Sequence, residues 1–139
     1  MTILDTDCII QFLRGNPRAI NFVQSARKKD NALKTTAFTV SELYFGAYIS
    51  SRSAKNTRDV KDFLAQLTIL DFTEAAAIVH AQITADLKSK GNPVGTIDPF
   101  IASIVLSTEE SLVTRNSDHF TAIDRLKLLN WDVAPSPEP

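Results

Sequence analysis

The chain has 139 residues, 44% of them hydrophobic, and a formal net charge of -1. That length and apolar content suit one domain with its own core, and the near-zero charge excludes a protein that draws nucleic acid through a strong global field, leaving only local basic patches for polyanions. Cys8 is the only cysteine, so no intrachain disulfide can form; Asp5 and Asp7 stand where an export signal carries bases, and no apolar run approaches the roughly 18 residues of a membrane span, so a soluble, cytoplasmic protein without a membrane partner is expected.

Thr2-Ile3-Leu4 reads as a short apolar strand that stops at Asp5. A helix with Ile9, Ile10, Phe12 and Leu13 follows to about Arg14, capped by Asp5 or Thr6 and ended by Gly15-Asn16-Pro17. From Pro17, the residues Ile20, Phe22, Val23 and Ala26 mark a second helix closing in Arg27-Lys28-Lys29, cations that complement its dipole. Residues 32–38 are β-prone and predict the second strand. It feeds Thr39-Val40-Ser41-Glu42 and a helix with Leu43, Tyr44, Phe45, Ala47, Tyr48 and Ile49. That helix is apolar around most of its circumference, where a surface helix needs one stripe. Either its own core or another chain must cover the excess.

Residues 50–56 form a polar, basic break before a helix through Val60, Phe63, Leu64 and Leu67, with Arg52, Lys55, Arg58 and Lys61 on its outer side. A third strand is predicted at 68–72. Thr73-Glu74 opens a long helix whose inner face is Ala76, Val79, Ile83 and Leu87, ending near Gly91; His80 on it reads as a packing or surface residue. After a loop at 92–96, Ile97-Asp98-Pro99 starts a helix with Phe100, Ile101, Ile104 and Val105. Residues 111–114 predict a fourth strand, and Trp131-Asp132-Val133 a last one. The expected organisation is one domain over 1–133 and an extended or disordered proline-rich tail over 134–139. Strands alternating with helices give an α/β class with a mainly parallel sheet covered on both faces. There is no internal repeat, Gly-rich phosphate loop, Cys/His metal spacing or Gly-x-Ser-x-Gly elbow.

Four acids fall in equivalent places. Asp5 ends the first strand, Glu42 lies in the first turn after the second, Asp98 starts a helix and Asp118 follows the fourth strand. In a parallel sheet all four belong to the edge where ligands collect. Singly, each has a structural explanation. Thr39-x-x-Glu42 has the form of a capping box, Asp98-Pro99 that of an N-cap with proline at the first helical position, and Asp5 and Asp118 can cap as well. Together they must repel unless something neutralises them. No Lys or Arg lies beside Asp5, Glu42 or Asp98 in sequence. A hard Mg²⁺ or Mn²⁺ ion, which prefers oxygen ligands and works with phosphates, is the other solution. Such an ion activates water and stabilises a leaving oxygen in phosphodiester hydrolysis.

Asp5, the run Ser41-Glu42-Leu43-x-x-Gly46, Asp98 followed by Ile101-Ala102, and Val113-Thr114-Arg115-Asn116-x-Asp118-x-Phe120 together resemble a PIN domain. More closely, the chain resembles the VapC-type ribonuclease toxins of bacterial toxin–antitoxin pairs, over nearly its whole length. The resemblance implies a three-layer α/β/α sandwich whose acids hold Mg²⁺ or Mn²⁺ for RNA cleavage. By position, Asp5, Glu42 and Asp98 carry over as the main metal ligands and Thr114 as the hydroxyl that orders the site. For the fourth acid, many relatives have Asp where this chain has Asn116, and others carry an acid two residues later, as Asp118 is here. Asp7 is a further acid whose role stays open. The resemblance also implies a homodimer and a cognate antitoxin that inserts a segment near the acids, for which the apolar helix over 43–49 is a fitting contact surface. Arg14, Lys28, Lys29, Arg52, Lys55 and Arg115 are the local cations available to RNA phosphates.

Two rivals stand beside a metal-dependent endoribonuclease. A phosphoacceptor receiver domain would use Asp71 as acceptor and Thr114 as switch hydroxyl, but no Lys-Pro follows a late strand and Glu42 would have no role. A non-catalytic PIN scaffold, serving as a binding module, is suggested by Asn116 in place of an acid.

Overall fold

The computed structural model describes residues 2–29, 32–93 and 95–134. Five short strands, β1 (Thr2–Leu4), β2 (Lys34–Thr36), β3 (Thr68–Leu70), β4 (Ser111–Val113) and β5 (Lys127–Leu129), form one sheet in the order β3-β2-β1-β4-β5, and every pairing is parallel. Six helices connect them: α1 (Thr6–Leu13), α2 (Pro17–Lys29), α3 (Ala37–Ile49), α4 (Ser53–Leu64), α5 (Glu74–Ser89) and α6 (Asp98–Thr108). Parallel strands need such crossovers, and the helices they bring cover both faces of the sheet.

The period-2 alternation of strand side chains divides the core in two. Leu4 and Val113 point into a cluster with Ile9, Val23, Leu43, Ala47, Phe63 and Trp131, built from α1 to α4. Ile3 and Leu112, one residue earlier in each strand, point into a second cluster with Ile83, Leu87, Ile101, Val105 and Phe120 under α5 and α6. The result is the expected α/β/α sandwich. No helix among the described residues is long and apolar enough to cross a membrane. The tail expectation lies, from residue 135 onward, outside the described residues.

Several boundaries differ from the sequence reading. The second strand stops at Thr36, and α3 begins at Ala37 with Thr36 as N-cap, its hydroxyl accepting from the Thr39 amide at 3.2 Å. Phe38 packs against the second core instead of extending the strand. The polar break after α3 shrinks because α4 already begins at Ser53, and Asn56 within it donates to the Ser50 hydroxyl at 2.9 Å. The last strand lies at Lys127–Leu129, not at 131–133. Trp131, 1% exposed, plugs the first core, so its alternation with Val133 signals burial of one ring and not a paired strand.

The strand order fixes where a site can form. From β1 the chain steps outward to β2 and β3, then returns to place β4 on the other side of β1. The connections on the two sides of β1 therefore diverge and open a crevice beyond the carboxyl ends of β1 and β4. At the opposite edge, where β2 and β4 begin, Lys34 Nζ closes on Glu110 Oε1 at 2.7 Å, so the carboxylate there is neutralised within the chain.

Candidate active site at the carboxyl edge of the sheet

Asp5 leaves β1 directly into that crevice. Its amide donates to Val113 O at 2.9 Å, continuing the β1–β4 ladder by one step. Its side chain caps α1, Oδ1 accepting from the Thr6 amide at 2.9 Å. Asp5 is nevertheless only 8% exposed. Burial pushes its pKa from 3.8 to about 6; the Thr6 amide works against that rise, Asp7 adds to it, Thr114 opposes it and Glu42 adds to it again.

Glu42 is not held by a capping box. Thr36 takes the cap, so Thr39 and Glu42 sit inside α3, with Glu42 in its second turn. Its carboxylate is thereby available to a neighbouring helix, and Oε1 accepts from the Thr6 hydroxyl at 2.9 Å. The same hydroxyl lies 3.2 Å from Thr39 Oγ1, so one threonine at the start of α1 fixes two residues of α3.

Asp7, whose role the sequence left open, ties α1 to the turn after β4. Its Oδ2 accepts from the Arg115 amide at 2.7 Å and from the Thr114 hydroxyl at 3.3 Å. The Thr114 oxygen in turn accepts from the Asn116 amide at 3.1 Å. Thr114 is 1% exposed and thus a fixed internal joint. Asp7 Oδ1 is buried with no hydrogen-bond partner among the described residues.

Asp98 is at the first helical position of α6, with Ile97 before it and no side-chain cap. The expected N-cap duty is absent, which leaves the carboxylate available to groups outside its own helix. Only Glu109 and Glu110 separate α6 from β4, so the helix runs back against the strand and its start lies at the same edge as Asp5. Asp98 Oδ2 faces His119 Nδ1 at 3.6 Å. Burial raises its pKa, and the His119 charge lowers it. Asn116 and Asp118 lie on the exposed turn leading through the short 3-10 helix Ser117–His119.

The structure therefore brings Asp5, Asp7, Glu42 and Thr114 together by hydrogen bonds and mutual charge, with Asp98 on the neighbouring helix start and Asn116 and Asp118 at the rim. Thr6 and Asp7 were missed as organisers. An acid in the first turn of a helix is expected for its dipole alone, and nothing in the spacing of Thr6 announces Glu42. Asp71 lies beyond edge strand β3 and is exposed, two strands from Asp5, which removes it as a partner of this cluster. His80 stacks on Phe100 with centroids 3.9 Å apart, a packing role as expected. Burial, with Asp7 and Asp5 nearby, pushes the Cys8 thiol up to about 12, which leaves no thiolate for nucleophilic chemistry.

No lysine or arginine among the described residues forms an ion pair with Asp5, Asp7, Glu42 or Asp98. Nor do three His, Cys, Asp or Glu side chains among them stand as a preformed metal cage. The donors are carboxylate and hydroxyl oxygens with the Asn116 amide oxygen at the rim, one carboxyl raised to about 6 by burial and a second, Asp7, having a buried oxygen without a hydrogen-bond partner among the described residues. That set fits a hard divalent cation that keeps several of its waters, and it lacks the nitrogen and sulfur ligands of a zinc site.

The family model described as PIN domain matches residues 2–126. A Haemophilus influenzae protein named ribonuclease VapC2 is 34% identical over 131 residues, covering 93% of this chain and 96% of that protein. The Salmonella typhimurium protein named tRNA(fMet)-specific endonuclease VapC is 31% identical over 129 residues, covering 93% and 96%. Among solved structures, Rickettsia felis VapBC2 bound to a promoter DNA fragment superposes with a TM-score of 0.86 at 26% identity, covering 94% of this chain and 98% of that one. DNA-bound VapBC from Salmonella typhimurium gives 0.83 at 30% identity, covering 94% and 97%.

Proposed function

The chain belongs to the PIN domain family, and from that premise we propose that it is a divalent-metal-dependent endoribonuclease, the toxin of a toxin–antitoxin pair. The observation that carries the reading is the buried Asp5 carboxyl at the switch point of the sheet, with Asp7 and Glu42 adjacent and no Lys or Arg ion-paired to the three among the described residues. Relatives named as VapC ribonucleases supply the reaction class, and solved VapBC toxin–antitoxin assemblies supply the antitoxin partner.

Asp5, Glu42 and Asp98 are the residues that would hold Mg²⁺ or Mn²⁺, with Asn116 and Asp118 adding a neutral and a charged oxygen from the rim. A bound cation would activate water and stabilise developing charge on the scissile phosphate. The chain's own part is positioning. Thr6 orients Glu42 through Oε1 and leaves Oε2 free for the site. Asp7 and Thr114 lock the turn that carries Asn116. The β1–β4 ladder fixes the backbone of Asp5, so its carboxyl meets substrate from a rigid element.

RNA reaches the crevice from solvent, and an antitoxin segment would occupy the adjoining groove between α1, α3 and α4, which Glu42 also lines. Phe45, Tyr48 and Ile49 on the outer face of α3 are 64%, 63% and 69% exposed and suit a second copy of the chain in a homodimer.

The test is cleavage of RNA by the purified protein with Mg²⁺ or Mn²⁺. Initiator tRNA is the first substrate, because of the Salmonella relative's name. Asp5→Asn and Asp98→Asn should each lower cleavage by at least about a hundredfold while the circular dichroism spectrum stays that of the parent, since loss of several kcal/mol of charge stabilisation removes a factor of that size. Full activity in both variants would sink the proposal.

A further inference from the structure

We propose that Arg115 grips an RNA phosphate beside the acid cluster, with Asp132 as the counter-ion that holds its guanidinium ready and competes with that phosphate. The inference rests on the ribonuclease reading above and assigns a substrate contact within it. Four observations meet at this residue. Its backbone is fixed at the site, because the Arg115 amide donates to Asp7 Oδ2 at 2.7 Å and both flanking residues are tied through Thr114 Oγ1. Its guanidinium lies over the buried Trp131 ring, 5.0 Å from the centroid. Its Nη1 approaches Asp132 Oδ2 at 3.5 Å, while the other oxygen of the same carboxylate takes Arg18 Nη1 at 3.1 Å. The Arg115 and Arg18 side chains are 41% and 50% exposed.

Two arginines over one carboxylate leave one positive charge in surplus. A guanidinium has five N–H donors in a planar fork suited to phosphate, and the pair with Asp132 engages one edge at long range. Stacking on an aromatic ring orients such a fork without consuming its donors. The placement matters as much as the charge. A chain of net charge -1 whose catalytic crevice is lined by carboxylates repels RNA, so a phosphate can settle near those acids only where a local cation offsets them. Arg115, between Thr114 and Asn116, is a cation whose backbone is tied directly to the cluster through Asp7, whereas Arg14 and Lys55 stand beside Glu42 on the adjoining groove. If it only fastened the segment after β5 to the turn after β4, a half-exposed ion pair would contribute little to stability, and RNA binding would not respond to its charge.

The experiment measures binding of a single-stranded RNA by fluorescence anisotropy across a salt series, using Asp98→Asn as an uncut parent. Arg115→Gln should weaken binding several-fold at low salt and lower the slope of log K against log salt by about 0.7, the value for one phosphate contact to a single strand. Arg115→Lys should keep the parent slope and lose only the affinity that depends on the fork. Asp132→Asn, which removes the competing carboxylate, should bind RNA more tightly than the parent. Parent slope in Arg115→Gln, or unchanged or weaker binding in Asp132→Asn, overturns this inference alone. The second criterion stands even if Arg115→Gln fails to fold. No RNA binding by the parent at any salt overturns the ribonuclease reading with it.

Discussion

Asp5 carries two duties that pull in opposite directions. As N-cap of α1 it is stabilising through its bond from the Thr6 amide. As a buried acid among acids it is costly, and the cost depends on pH. Below the unfolded value of 3.8 both states hold the proton and no difference exists. Between 3.8 and about 6 the folded chain keeps a proton that the unfolded chain has released, and above about 6 the folded carboxyl is charged in a poor environment. Stability contributed by this group therefore falls as pH rises through that window. A shift from 3.8 to about 6 corresponds to about 3 kcal/mol at 1.36 kcal/mol per pH unit. Asparagine caps a helix as well as aspartate does. Without divalent ions, Asp5→Asn should thus be more stable than the parent at pH 7.5, by up to about 3 kcal/mol in urea unfolding, and equal to it near pH 3.5. A variant weaker than the parent at both pH values would mean the cap, not burial, dominates. Taken alone, an acid after a strand reads first as a cap, and only Glu42, Asp98 and the Asn116/Asp118 turn at the same edge make Asp5 a candidate ligand in the sequence. Its burial depends on Val113 and Thr114, more than a hundred residues away, which no local pattern reports.

At the scale of the element, α3 is where sequence and structure diverge most usefully. The β-prone run extends the strand to Phe38 in sequence, but Thr36, not Thr39, caps the helix and starts it at Ala37. The correction changed the meaning of Glu42 from a helix cap to an inter-helix contact with a free oxygen. The apolar excess on α3 was visible at once, since composition around a helix needs no tertiary information; which face lies open was not. Gly46 sharpens this. Beyond its chain neighbours and its own helix backbone, a methyl group added there would meet nothing within 4 Å, and glycine inside a helix costs about 0.5–1 kcal/mol relative to alanine. The fold itself therefore has no use for Gly46, yet the residue lines the groove with Glu42, Leu43 and Ala47. Gly46→Ala should raise the unfolding free energy of the isolated chain by about 0.5–1 kcal/mol and weaken its capture of the antitoxin in a pull-down of the two purified proteins. A stabilised variant that captures antitoxin as well as the parent would remove this groove from the partner surface.

For the whole molecule, the two edges of the sheet treat charge differently. The edge where strands begin pairs Glu110 with Lys34 inside the chain, whereas the edge where they end gathers Asp5, Asp7, Glu42 and Asp98 with no Lys or Arg partner among the described residues, only His119 standing 3.6 Å from Asp98. The strand order makes this intelligible, because β1 lies at the reversal and its carboxyl end opens a crevice. Alternating strands and helices made the parallel sheet legible, and with it the common edge of the acids. The order of strands across the sheet was not, since short three-residue strands carry no register information of their own. A site that concentrates uncompensated acid is stabilised by whatever cation it binds, and a ligand at a hundred times its dissociation constant adds about 2.7 kcal/mol to folding. Mn²⁺ should accordingly raise the melting temperature of the parent at pH 7.5. The rise should shrink at pH 5, where Asp5 is largely protonated and the ion must displace that proton. In Asp5→Asn and Asp98→Asn the rise should be small at both pH values, because each lacks one of the charges that attract the ion. An equal Mn²⁺ shift in parent and variants would place the bound cation somewhere other than this edge.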